Sequence, residues 1–359
     1  VAGKKYGIAK PFNFNFMQLK RYALSCFLAG LLAVAQCYAQ EDEFDFGDFQ
    51  AAENTDIKTF CTNKVINLSP TRLISIGYDF VGGFDLESDL AGAAAERVRF
   101  NHGLRLDGNF PLLSKNNIIV NMAVRYWESR YPTGSSGTQP TLGRILSETP
   151  LRTSTVGFVV FKPLNEKHFF IVQAEAALNG NYNFQDVSPD FSQMKYSASA
   201  LFGWKTNDYT NVAIGATRTY RGGRVLHIPV LLYNKTFNQT WGLEMLLPAY
   251  GSVRRNFSTK SFLKLGYELE GQSYLLQPQS GTEAFFNAAS SNELRKSEIR
   301  PRISWDVALS DFVWLGFQAG MRVNYRFAVD LESASNAPIF DNNIGLPYYF
   351  GFSINLVSP

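Results

Sequence analysis

The sequence predicts an all-β fold: a transmembrane antiparallel up-and-down β-barrel of about 14 strands, with 12 as the alternative. Three observations predict it. The composition, 17 Tyr, 30 Phe and 28 Gly with only 18% charged residues, suits strands, tight turns and aromatic girdles more than helix bundles. The second is Lys260–Leu275, KSFLKLGYELEGQSYL, in which Leu263, Leu265, Tyr267, Leu269 and Leu275 alternate with Lys264, Glu268, Glu270 and Gln272. Successive strand side chains point to opposite faces, so this run has one apolar and one charged face. It is also far longer than the usual strand of about 5–6 residues. The third is that such alternation recurs to the C-terminus, with connections of unequal length between the runs.

The chain divides by composition. Residues 17–39 read as a secretory signal peptide: Lys20 and Arg21 form a positive start, Tyr22–Val34 an apolar run, and Cys37-Tyr38-Ala39 a cleavage site before Gln40. A transmembrane anchor is the competing reading, but the apolar run falls short of the roughly 20 residues needed to span a bilayer. A lipoprotein acceptor at Cys37 would want a small residue where Gln36 stands. Residues 1–16 have no targeting logic and read as an over-extended start. Five of the 34 Lys and Arg (Lys4, Lys5, Lys10, Lys20, Arg21) belong to this front end, so the remainder carries 29 bases against 31 acids, a net of −2. That removes the basic balance a nucleic-acid partner would need. Two of the three Cys go with the leader, leaving Cys61 with no intrachain disulfide partner.

Residues 40–70 open with EDEFDFGDF and read as an acidic, mostly flexible periplasmic N-terminal segment, either a solvated leader or a docking peptide. Residues 71–359 are the expected barrel. Leu73–Phe84 sets Ile74, Ile76, Tyr78 and Phe80 against Ser75, Gly77 and Asp79. Val98–Phe110 sets Val98, Phe100, Leu104 and Leu106 against Arg99, Arg105 and Asp107; Ile118–Glu128 sets Val120, Met122 and Val124 against Arg125 and Trp127. Ser129–Pro150 reads as a loop. Arg152–Pro163 and Lys167–Gly180 form a hairpin, the latter with Gln173, Glu175 and Asn179 on its polar side. After a loop over Asn181–Met194 come Lys195–Thr206 and Tyr209–Tyr220, then Arg224–Tyr233, where Pro229 is awkward because proline cannot donate to a ladder. Gln239–Leu247, a short Gly251–Phe257 and Lys260–Leu275 follow. Beyond the loop Gln277–Glu293, Leu294–Leu309 pairs with Phe312–Asp330, whose polar phase holds Gln318, Arg322, Asn324 and Arg326. Loop Leu331–Gly345 leads to the last strand, Pro347–Val357.

Connection lengths set the strand number. Outer-membrane barrels have short periplasmic turns, long outer loops and usually an even count. Long connections follow Phe84, Glu128, Gly180, Leu275 and Asp330, and this alternation is consistent only if Gly251–Phe257 is a strand, which makes 14. Twelve remains if a weak pair around Pro229 is outside the wall. A soluble β-sandwich is disfavoured by strand length and by charges along one phase of nearly every strand.

The region from about Thr59 onward, with WGLEMLLPAYGSVRRNFSTKSFLKLGYELEGQSYLL and the ending PYYFGFSINL, resembles uncharacterised outer-membrane β-barrel proteins of the Bacteroidota. The resemblance implies a location in the outer membrane, contact with its lipid and lipopolysaccharide, and passage through the barrel-assembly machinery. It transfers no active site.

Function is expected to reside in the inward phase. The candidate lumen-lining charges are Arg99, Arg105, Asp107, Arg125, Glu175, Lys264, Glu268, Glu270, Glu298, Arg300, Arg302, Asp306, Arg322 and Arg326. They admit a hydrated pore for small solutes, or a charge plug in a barrel that serves to present its loops. The three His (His102, His168, His227) fit no nucleophile or metal spacing, and no phosphate loop occurs, so neither catalysis, a metal nor a cofactor is expected. An outer-membrane lipid-modifying enzyme is the weakest alternative.

Overall fold

The computed structural model describes residues 60–62, 64–89, 95–133, 142–184, 193–220, 224–277, 292–331 and 340–358. The expected leader and the acidic stretch up to residue 59 lie outside the described residues, as do parts of the long connections.

The strands are β1 (Arg72–Val81), β2 (Phe84–Ser88), β3 (Glu96–Val98), β4 (Asn101–Lys115), β5 (Ile118–Ser129), β6 (Leu151–Pro163), β7 (His168–Gly180), β8 (Lys195–Asn207) and β9 (Thr210–Thr219). They continue with β10 (Leu226–Thr236), β11 (Trp241–Leu247), β12 (Tyr250–Ser258), β13 (Ser261–Leu276), β14 (Asn292–Ala308), β15 (Val313–Met321), β16 (Val323–Leu331), β17 (Phe340–Asn343) and β18 (Tyr348–Val357). Neighbouring wall strands pair antiparallel throughout (β2 with β3 and β1 with β4, β14 with both β15 and β16), and β1 also pairs with β18, which closes the ring. Four wall strands are interrupted (β1/β2, β3/β4, β15/β16 and β17/β18), so the closed barrel has 14 strands. Gly251–Phe257 is indeed a wall strand, and the 12-strand alternative is excluded.

The tight turns close at one end. Asn165 Oδ1 accepts from the backbone N–H of Lys167 and His168 (2.9 and 2.8 Å), and Asn238 Oδ1 does the same for Thr240 and Trp241 (2.9 and 2.8 Å). These side chains mimic a backbone turn. The outer face is apolar: Leu265 is 62% exposed and Phe350 60%, with Phe158, Val172, Ile214, Ile303 and Phe352 also exposed. The interior holds buried Arg254, Lys296, Glu298, Arg300 and Arg322. A protein folding in water hides its apolar side chains; this inversion suits a wall facing hydrocarbon.

Pro229 sits without penalty. It pairs with Ala216 of β9, while β11 reaches only as far as Leu247, opposite Leu231. The edge of β10 facing β11 therefore has no ladder at Pro229 to be broken.

Apolar side chains pack at both ends of the interior, across it at the long-loop end and on the β6–β10 side alone at the short-turn end. At the long-loop end Phe84, Leu86, Val98, Tyr131, Leu151, Tyr274, Leu294 and Phe327 form a core. Seated in it is a helix, α1 (Leu142–Glu148), through Leu142 and Leu146. The sequence reading treats Ser129–Pro150 as loop throughout; α1 is a correction, and its single turn of apolar periodicity is too short to announce itself. At the short-turn end Cys61 packs on Phe161, Phe169, Leu201, Ala213 and Val230. Residues 60–62 and 64–70, expected to be part of a mostly flexible segment, are tied to the barrel. Cys61 N–H donates to Asn165 O (3.0 Å), Ile66 N–H to Asp208 O (2.9 Å), and Ser69 Oγ to Glu244 Oε1 (2.8 Å).

Candidate functional site

The interior phase builds a polar cavity of about 560 Å³, lined from Ser69 and Pro70 at the bottom to Trp127, Glu270 and Arg300 at the top. Its charges come as neighbours. Near the short-turn end Arg72 meets Asp306 at 2.7 Å, and Lys264 lies 3.7 Å from Asp306 and 3.5 Å from Glu244. Arg254, wholly buried, completes this group with Glu244 at 2.6 Å. Halfway up, Arg105 lies 3.3 Å from Asp79 and 3.8 Å from Asp107, while Arg125 pairs with Glu175 and Arg302 with Glu268. The register places them: Glu268 faces Arg300 and Gly266 faces Arg302 across the β13–β14 ladder. A long guanidinium thus reaches one step along the neighbouring strand.

Above the cavity the cations converge on one carboxylate. Glu298 is 0% exposed. It accepts from Arg322 Nε and Nη2 at 2.8 and 2.6 Å, and from Arg300 Nε and Nη2 at 2.6 and 2.5 Å. Lys296 Nζ lies 3.7 Å from it. The Trp127 ring takes both Lys296 Nζ and Arg300 at 5.0 Å from its centroid. Arg322 Nη1 also donates to Asn101 Oδ1 at 3.3 Å, so the cluster bridges β14, β5, the β15/β16 strand and β4. A buried carboxylate is stable only with such partners, and an ionic cluster out of water is rigid because each member is costly to leave unpaired. Directly above it on β14 stands Leu294, in the apolar core that holds α1. Among the described residues the lumen therefore holds a polar cavity through its middle and is filled at its long-loop end.

Twelve of the candidate charges face this interior: Arg105, Asp107, Arg125, Glu175, Lys264, Glu268, Glu270, Asp306 and Arg302 at the cavity, and Glu298, Arg300 and Arg322 at the cluster. Arg300 also reaches Glu270 at 3.9 Å. Two are corrections. Arg99 is exposed, because the break at Arg99-Phe100 shifts the alternation: Val98 and Asn101 both point inward. The neighbouring strand breaks at the same level at Gly82-Gly83, where a Cβ on Gly83 would stand 2.5 Å from Arg99 O. Arg326 is displaced by an irregularity in the β14–β16 pairing between Ser297 and Glu298. It faces Ser297 and pairs with Asp330 at 3.1 Å, while Phe327 takes the core position.

Sequence reasoning left Arg72, Asp79, Glu244, Arg254 and Lys296 out of the site. Lys296 shares the phase of Glu298 and Arg300, which was a usable signal. Glu244 and Arg254 lie on the short β11 and β12, where periodicity is weak.

His102 contacts Tyr78 OH and lies 5.2 Å from the Phe100 ring on the outer face, and His168 Nδ1 donates to Asn165 Oδ1 (3.0 Å) in a tight turn. Neither borders the cavity.

Solved structures similar to this chain include the COG4313 outer membrane channel from Pseudomonas putida F1, at 10% identity over 85% of this chain and 100% of that one, with a TM-score of 0.35. The P. putida toluene transporter TodX is 8% identical over 82% and 92% of the two chains (TM-score 0.33). A mutant of the Rh. blastica porin is 11% identical over 78% and 100% (TM-score 0.25). Likenesses this distant carry no function across. No curated protein matches. A family model described as a domain of unknown function (DUF6268) matches residues 109–333, more than half of the chain, which belongs to that family.

Proposed function

We propose that this barrel is an outer-membrane channel that holds small polar solutes of no net charge in its lumen and passes them when the cluster around Glu298 and the core above it give way. The observation that carries the reading is the balanced lining of the cavity. Arg72, Arg105, Arg125, Lys264, Arg300 and Arg302 stand against Asp107, Glu175, Glu244, Glu268, Glu270 and Asp306. Side-by-side donors and acceptors suit hydroxyl, amide or zwitterionic groups, and a wall of balanced sign has no field to favour a simple ion. The location rests on the apolar outer face and the closed ring, which leaves no strand edge for lipid to meet along most of the wall. Short turns are assigned to the periplasm and long connections to the exterior, as in outer-membrane barrels generally. The secretory leader over residues 17–39 supports the same route.

The reading has no catalytic component, since the histidines lie away from the cavity. The test is conductance of the purified protein in planar bilayers, with solute-dependent block by an uncharged sugar and by a zwitterionic amino acid. Infrequent openings in the wild type, reduced by either solute, are expected. Silence at high protein load, in wild type and in Glu298→Gln alike, would sink the channel and leave a barrel whose plug serves loop presentation.

A further inference from the structure

We propose that the wall carries a lateral window above the β11–β12 hairpin, through which a single-tailed amphiphile with a zwitterionic head enters the barrel from the membrane. This goes beyond the passage of polar solutes along the axis and uses a different entrance. The register defines the window. The hairpin stops at Leu247 and Tyr250, opposite Leu231 and Glu268. On either side β10 runs on to Leu226 and β13 to Leu276. Above the hairpin the facing edges of these strands share no ladder among the described residues.

Height places the gap inside the bilayer. The seven residues of β11 span about 24 Å at about 3.4 Å each. Tilted by about 40°, they rise only about 18 Å, less than the apolar band of about 25 Å on outer-membrane barrels. The sixteen residues of β13 rise about 40 Å on the same arithmetic. The upper border is tied shut: Leu275 pairs with Gly180 of β7, Asn181 Oδ1 accepts from Gln277 N–H at 2.6 Å, and Lys195 is salt-bridged to Glu293. The result is a bounded window rather than an open seam.

The chemistry behind it changes from apolar to charged. A cavity of about 210 Å³ lies at the window, lined on its inner side by Ile171, Leu201, Ile228, Val230, Leu232 and Leu246. Leu247 and Leu269 line it too, although their phase on β11 and β13 is the outward one, so the cavity reaches the outer face. It shares Glu175, Ser197 and Thr219 with the large polar cavity. An apolar tail in the smaller space would put a head beside the Arg125–Glu175 pair, whose opposite charges meet both ends of a zwitterion. A wholly apolar guest would make no use of that pair, and one acyl tail already takes up a space of this size and the window in front of it, which leaves no room for a second.

The test uses the full-length barrel in nanodiscs with a lysophosphatidylcholine carrying a diazirine in its acyl tail, and maps the crosslinked peptides by mass spectrometry. Crosslinks are expected on inward Leu201 and Val230 as well as on lipid-facing Phe170 and Ile214, which serve as internal controls. Ala249→Trp and, separately, Leu269→Trp fill the window and should abolish the inward crosslinks while leaving the outer ones. Heat-modifiable gel mobility confirms that each variant is a folded barrel. Crosslinks confined to the outer face of the wild type would overturn the proposal. So would inward crosslinks that survive in both folded variants, since the amphiphile would then enter elsewhere.

Discussion

Replacing Glu298 by Gln keeps the shape of the side chain and removes the one negative charge on which Arg300, Arg322 and Lys296 converge. A Gln oxygen still accepts hydrogen bonds, but the three cations are left facing each other in a site that is 0% exposed. Removing one partner of a buried ion pair costs about 3–5 kcal/mol, and the retained hydrogen bonding points to the lower end. At about 1.4 kcal/mol per factor of ten, about 3 kcal/mol changes an equilibrium more than 100-fold. If the cluster holds the lumen shut, that factor is expected in the ratio of open to closed time in planar bilayers. It is expected to exceed the effect on urea unfolding in lipid vesicles, because the 14-strand ladder is untouched. The double variant Glu298→Gln with Arg322→Gln removes one of the stranded cations and should return part of the closed population. Open probability and unfolding midpoint both equal to wild type in Glu298→Gln would refute the reasoning outright.

The remaining expectations are local. Lys296 is buried, and its Nζ has no hydrogen-bond partner among the described residues. Lys296→Met therefore removes a repelled charge at little cost and should leave the urea midpoint unchanged or raised. A Cβ on Gly103 would stand 1.6 Å from the backbone oxygen of Glu128. Gly103→Ala should thus lower stability by about 1–3 kcal/mol, read from the same unfolding curves, because a neighbouring strand cannot step aside as a side chain can. Burial pushes the Cys61 thiol up. Maleimide labelling of the folded barrel near pH 8 should be far slower than of the unfolded chain, and equal rates would show that the segment before β1 is not docked. The sign of the linkage follows. Below about pH 8.5 the thiol is protonated in both states, and above it ionisation of the unfolded chain draws stability away as pH rises.

The barrel and its strand number were legible because alternation survives in long strands and because loop lengths must alternate around a ring. Lys260–Leu275 shows both: its charged phase points into the lumen, and its long outgoing loop requires the short β12 before it. What the sequence concealed lies where period two fails. At Gly82-Gly83 and Arg99-Phe100 two adjacent strands slip together, which carries Val98 inside and Arg99 out. Near Ser297 and Glu298 the pairing irregularity turns Arg326 away and brings Phe327 into the core. Arg254 was concealed for a different reason. It lies on a nine-residue strand, and its partner Glu244 becomes its neighbour only through the β11–β12 hairpin. The choice between a hydrated lumen and a charge plug could not be made by phase alone. Both occur on one face at different heights, and height along a strand depends on register.

A polar cavity lies below the Glu298 cluster, and the apolar core above that cluster stops the lumen at its long-loop end. A single thiol at a cavity-lining position, Ser304→Cys in a Cys61→Ser background, tests it most directly when the barrel is reconstituted with one orientation and probed with a membrane-impermeant thiol reagent from each side. Labelling from the short-turn side and protection from the long-loop side is the expected result. Equal labelling from both sides, or from neither, would contradict the account.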